Sequence, residues 1–188
     1  MGVRRQVGAI ALRLTRWNVD GSAPELSRYV AIAAPHTSNW DLFYLLMHAW
    51  SHDVGISWLA KGSVFRGPTG SLLRRIGGIP VQRGERTGLV DTLRAEFERR
   101  NELVVVFPPE ATRQKADHWK SGFYHVAVAA KVPIVCVYLD YAQRVGGFGP
   151  TIEPTGDVAV DMETIRSFYD DKRGKYPDQV GEIRLIDQ

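Results

Sequence analysis

Cysteine occurs once in this chain, at Cys136, so no intramolecular disulfide can staple the fold and stability must come from a packed core. No uninterrupted apolar run reaches the ~18 residues that would mark a membrane-spanning helix. There is no G-x-S-x-G elbow, where an α/β hydrolase would carry its serine, and no H-E-x-x-H pair for zinc. Internal repeats, low-complexity tracts and a composition shift between halves are likewise absent. A signal peptide is not expected, because arginines interrupt the first apolar segment and no small-residue cleavage site follows. What remains is a chain of 188 residues, 44% hydrophobic and 24% charged, long enough to form one domain over 1–188 with a sizeable core. One cysteine suits a reducing cytoplasm. A net charge of +3 and a pI near 9.1 favour anionic partners, whether membranes, phosphorylated acceptors, coenzyme A, an acidic carrier protein or nucleic acid.

Strand-like and helix-like runs alternate along the chain. Strands are expected at 29–34, 56–60, 78–82, 103–107 and 132–141, and helices at 38–51, 87–100, 121–131 and within 161–172. A Gly/Pro-interrupted helical region is expected at 63–76. Gly146-Gly147-Phe148-Gly149 reads as a loop leading to a short edge strand at 151–153, and the last dozen residues carry little signal. Such alternation predicts a layered α/β domain with a central, mostly parallel or mixed sheet flanked by helices.

The chemistry concentrates in His36-Thr37-Ser38-Asn39-Trp40-Asp41, between the first strand and the first core helix. Imidazole takes and returns a proton near neutral pH. A carboxylate on one ring nitrogen fixes the tautomer and leaves the other nitrogen to accept a proton. His36 and Asp41 are therefore two parts of a triad. Cys136 lies in the apolar run 132–141 and reads as a buried strand residue, so the sequence offers no nucleophile of its own. The pattern points to a general base acting on a substrate hydroxyl. Taken alone, it equally describes a turn histidine followed by an aspartate in the first turn of a helix.

Three further segments follow in order. They are Gly77-Gly78-Ile79-Pro80-Val81-Gln82-Arg83, then Pro109-Glu110-Ala111-Thr112-Arg113, then Val132-Pro133-Ile134. With the histidine motif they resemble the four blocks of the glycerolipid acyltransferase family, whose best-known members are the 1-acylglycerol-3-phosphate acyltransferases. The resemblance spans roughly 29–141 and implies an acyl transfer from acyl-CoA or acyl-carrier protein to a glycerolipid hydroxyl. The expected acceptor is lysophosphatidate, and no metal or other cofactor is expected. It implies His36 as general base, Asp41 as its orienting partner, and direct attack on the thioester without an acyl-enzyme. It also implies that Arg83, Glu110, Thr112 and Arg113 bind the acceptor and its phosphate, with Lys61 a further basic position. Guanidinium groups suit phosphate oxygens through their planar fork of donors. The third block departs from the family's usual F-P-E-G-T-R-S. Pro108 stands where Phe is usual, Ala111 where Gly is usual and Gln114 where Ser is usual, which leaves another lysophospholipid or glycerol-3-phosphate open as acceptor. A non-catalytic lipid-binding module of the same fold is the rival reading.

At the N-terminus, Val3, Val7, Ile10, Leu14 and Trp17 recur at helical spacing beside Arg4, Arg5, Arg13 and Arg16. An amphipathic helix over 1–20 fits either packing on the domain or lying in a membrane interface. With the resemblance it implies a cytoplasmic enzyme, peripheral on the inner face of the membrane. His48 and His52, four residues apart, carry no metal motif beyond that spacing. The aromatic set Trp40, Phe43, Tyr44, Trp50 and Trp58 lacks interleaved basic residues, so it reads as core or acyl-pocket lining and a nucleic-acid partner is not expected.

Overall fold

Three apolar runs become the central strands of a seven-stranded mixed sheet among the residues described, 2–81 and 86–185, in a computed structural model. They are β2 (Arg28–Ala34), β5 (Leu103–Phe107) and β6 (Ile134–Asp140), and their side chains are buried on both faces, as parallel strands between helical layers require. Around them lie β1 (Asn18–Asp20), β3 (Ile56–Lys61), β4 (Gly78–Val81) and β7 (Val145–Ile152), in the order β1-β7-β6-β2-β5-β3-β4. All described pairings are parallel except β6 with β7.

The period-2 alternation of a strand divides these runs between two cores. Val30, Ile32, Val105, Ile134 and Cys136 face α4 (Arg86–Arg99), α5 (Gly122–Ala130) and α6 (Val158–Tyr169), meeting Phe97, Phe123 and Met162. Ala31, Val104, Val106, Val135 and Val137 face the opposite layer, built by α1 (Val3–Thr15) and α2 (Trp40–Ser51) with Leu12, Leu46 and Met47. A short α3 (Pro68–Arg75) precedes β4. Asp157 caps α6 by accepting the N–H groups of Ala159 and Val160 at 3.1 and 3.3 Å. Burial pushes the Cys136 thiol up to about 12, as its strand position implied.

Two expectations change. The N-terminal helix does not run over 1–20. It ends at Thr15, Arg16 adopts a left-handed conformation, and Asn18–Asp20 form the edge strand β1. The glycine run 146–149 is not a loop but the middle of β7, and that strand lies between β1 and β6 rather than at the edge. The glycines serve close approach: a Cβ on Gly146 would stand 2.5 Å from His48 Nε2. Glycine works the same way in α1, where a Cβ on Gly8 would stand 2.5 Å from the Met47 carbonyl, so the helix presses directly onto α2.

Candidate active site

Because β4, β3, β5, β2 and β6 run parallel, their C-terminal ends share one edge of the sheet, where ligands gather in α/β folds. His36 follows β2, Glu110 and Arg113 follow β5, and Tyr141 follows β6. The separation in sequence between the first and third blocks thus vanishes in space.

Asp41 sits in the first turn of α2 and is buried. Its Oδ2 lies 3.0 Å from His36 Nδ1 and accepts the backbone N–H groups of Thr37 at 3.0 Å and Ser38 at 2.9 Å. Its Oδ1 accepts the Tyr141 hydroxyl at 2.6 Å. One carboxylate therefore both ties down the start of the helix and holds the imidazole. With Nδ1 as donor, Nε2 is left with its lone pair and without a partner among the described residues. The His36 side chain keeps 21% of its surface exposed.

Beside His36 opens a cavity of about 200 Å³ between α2 and the sheet. Leu42, Leu45, Trp58, Val106, Val137 and Leu139 give it apolar walls, while His36, Asp41, Ser38 and Arg113 bring polar groups to the same space. Pro108, the departure from the family's usual Phe, also lines it.

Glu110 packs against the backbone of the histidine loop. It is 4% exposed, and its Oε1 accepts the backbone N–H of His36 at 3.0 Å. Burial pushes its carboxyl above the usual carboxylate range, and Oε2 is buried without a partner among the described residues. The third block thus underpins the histidine loop from below. Thr112 is exposed and turned onto its own loop, where its hydroxyl accepts the Gln114 N–H at 3.2 Å. Lys61 is exposed at the end of β3, one residue beyond Ala60, which lines the cavity. Arg83 lies outside the described residues. The structure accordingly groups His36, Asp41, Glu110 and Arg113, and sets Thr112 and Lys61 outside the cavity wall.

Ala111 has φ +54°, so the position where glycine is usual does require the left-handed region. An alanine there costs about 1–2 kcal/mol relative to an ordinary conformation.

Sequence reasoning missed two supports. Tyr141 carries only the signal of a polar aromatic directly after a strand end. The segment after α6 crosses the site: Tyr176 donates its N–H to Thr37 Oγ1 at 3.2 Å, and Arg173 O accepts the Tyr141 N–H at 2.9 Å. Gln179 also reaches it, placing its side-chain amide between the carbonyls of Arg113 and Thr37. His48 packs against Trp17 and His52 against Phe148, neither lines the cavity, and among the described residues no three His, Cys, Asp or Glu side chains gather as a metal site.

A doubly covered α/β sheet thus carries an aspartate-held histidine at the mouth of an apolar cavity. A family model described as Acyltransferase matches residues 17–140, and the chain belongs to that family. This is the family that the four ordered blocks resemble. Among solved structures, the fold is similar to the 1-acyl-sn-glycerophosphate (LPA) acyltransferase PlsC from Thermotoga maritima, with a TM-score of 0.59 and 17% identity over 89% of this chain and 73% of that one. No curated protein matches the chain.

Proposed function

We propose that this acyltransferase moves a fatty acyl group from acyl-CoA or acyl-carrier protein to a hydroxyl of a glycerolipid, with 1-acylglycerol-3-phosphate as the acceptor. The observation that carries this reading is an Asp41-held His36, its Nε2 unpartnered among the described residues, beside an apolar cavity that Arg113 also lines. In the proposed reaction Nε2 takes the acceptor's hydroxyl proton as the oxygen attacks the thioester carbonyl. The C–S bond then breaks, and the imidazolium returns the proton to the leaving thiolate. Asp41 holds the tautomer and offsets the charge on the ring. The apolar walls suit acyl methylenes. Arg113, with no ion pair among the described residues, is available to a phosphate. The named activity of the T. maritima protein supports the same acceptor.

A second acceptor class, another lysophospholipid or glycerol-3-phosphate, is favoured by the altered third block. Pro108 replaces a bulkier side chain in the cavity wall, and Ala111 constrains the turn that carries Arg113.

Membrane contact belongs to the same proposal. Val3, Val7, Ile10 and Leu14 are 77%, 44%, 58% and 78% exposed, a bare apolar stripe beside arginines, while Gly8 and Leu12 form the face packed on the domain. Such a helix suits the headgroup boundary of an anionic leaflet, here the inner face of the membrane. No described helix is long and apolar enough to cross a bilayer.

The test is acceptor-dependent thiol release from acyl-CoA and from acyl-carrier protein, with products identified by mass spectrometry. Lysophosphatidate, neutral-headgroup lysophospholipids and glycerol-3-phosphate are supplied in turn. Ester formed fastest on lysophosphatidate supports the reading, with Arg113→Ala reducing that rate more than the rate on neutral headgroups. Acceptor-independent background throughout points to a binding module instead.

A further inference from the structure

Asp41 divides its two oxygens between different tasks. Oδ2 faces the histidine loop, holding His36 Nδ1 and two backbone N–H groups, whereas Oδ1 takes a single donor among the described residues, the phenol of Tyr141, at 2.6 Å. A carboxylate tied at only one oxygen can rotate about its bond to the chain. One tied at both ends cannot without breaking a bond.

We propose that Tyr141 is a positioning residue for acyl transfer, fixing the plane of the Asp41 carboxylate and moderating how strongly it stabilises a protonated His36. The inference rests on His36 acting as the base, as set out above. Tyr141 itself is held firmly. Its N–H donates to Arg173 O at 2.9 Å, and its ring packs edge-on against Trp17 at 4.9 Å and Tyr44 at 5.9 Å between centroids. Burial, then the bond to Asp41, raise its phenol well above the ordinary range, so it remains a donor throughout the working pH range. Tyr141 and the segment that clamps it lie outside residues 17–140 matched by the family model, so this support is contributed by a part of the chain the model does not cover.

The electrostatic surroundings set the expected sign. Facing the pair are Glu110 behind the His36 backbone, Arg113 across the cavity, and Tyr44 and Tyr176 near the phenol. Arg144 and Lys175 line a shallow cleft on the other side of Tyr141, together with Trp40 and Tyr44. A phenol donating to a carboxylate withdraws part of its negative charge. Removing that hydroxyl leaves a more basic carboxylate, a better-stabilised imidazolium, and a base that stays protonated to higher pH.

The experiment compares wild type with Tyr141→Phe, measuring kcat/KM from pH 5 to 9 and following the His36 ring nitrogens by ¹⁵N NMR without substrate. In Tyr141→Phe the acid limb and the His36 titration midpoint are expected to move up by roughly 0.5–1 pH unit, with the plateau roughly tenfold lower. A site-specifically incorporated 3,5-difluorotyrosine at 141, a stronger donor, is expected to move both the other way, which keeps the test decisive if Tyr141→Phe folds poorly. Tyr44→Phe, which removes a neighbouring phenol with no bond to Asp41, is expected to leave the profile in place. An unmoved acid limb and His36 midpoint in both position-141 variants, with only thermal stability lowered, overturns the proposal. A wild type without acyl transfer on any acceptor contradicts the functional reading alone, because the NMR midpoint still decides whether Tyr141 governs the His36–Asp41 pair.

Discussion

Glu110 Oε1 accepts the backbone N–H of His36 at 3.0 Å, so the third sequence block holds the first from beneath. This glutamate braces the loop that carries His36.

This brace predicts a split between two substitutions. Glu110→Gln keeps an oxygen that can accept the His36 N–H, and is expected to retain the fold and at least a tenth or so of the activity. Glu110→Ala leaves that N–H without its acceptor, and is expected to cost about 1–3 kcal/mol and lower kcat roughly 100-fold or more. Urea unfolding and initial rates on both variants check it. Equal loss in both would assign the role to the charge rather than to the hydrogen bond.

Asp41 does two jobs with one oxygen, and Asn separates them. Asp41→Asn retains a carbonyl acceptor for the Thr37 and Ser38 N–H groups but loses the charge that stabilises the imidazolium. The expected outcome is a melting temperature close to wild type with kcat lowered roughly 1,000-fold or more. Asp41→Ala should match that loss and also melt earlier. Calorimetry beside the rate assay distinguishes them.

His48 makes stability fall on acidification. It is buried in α2 against Trp17 and β7 with neither ring nitrogen partnered among the described residues, and burial, then the neighbouring His52, lower its pKa from 6.5 to about 4. The unfolded chain therefore binds a proton that the folded one refuses between those values. Its contribution is complete above pH 6.5 and is lost as pH falls toward 4, up to about 3 kcal/mol. His48→Leu is expected to flatten that part of the stability–pH curve relative to wild type, measured by urea unfolding. Parallel curves would show that His48 titrates alike in both states.

Much of this architecture was legible because the apolar runs are long and the polar breaks sharp. The limits of β5 agree with expectation, and β2, β6, α2 and α5 agree within two residues at each end. Strand β1 was not legible, since Asn18, Val19 and Asp20 are all exposed and pair only because Val145–Gly147 lie alongside. Strand β7 was hidden for a tertiary reason: its glycines answer to His48, Asp20 and Phe168 pressing against them, not to a turn. In the site, the His36–Asp41 pair is local and carries its own spacing. The Tyr141 and Glu110 contacts span 100 and 74 residues, and no spacing within either segment shows that the two ends meet.

The exposed stripe of α1 predicts a separable membrane function. Replacing Val7, Ile10 and Leu14 together by Ser removes side chains that the domain core does not use. The melting temperature is expected to change little, whereas partitioning onto anionic phosphatidylglycerol vesicles falls roughly 10- to 100-fold. Sedimentation with vesicles at two salt concentrations measures it. Undiminished partitioning would move the lipid contact elsewhere.

The proposed function depends on one step, direct transfer to the acceptor hydroxyl with His36 as the base. Single-turnover thioester consumption with lysophosphatidate, comparing wild type with a folded His36→Ala, tests it most directly. The expected rate in the variant is lower by roughly 100- to 10,000-fold, with no acyl group on the protein at any time. Undiminished turnover in the variant, or an acylated enzyme in the wild type, would contradict it.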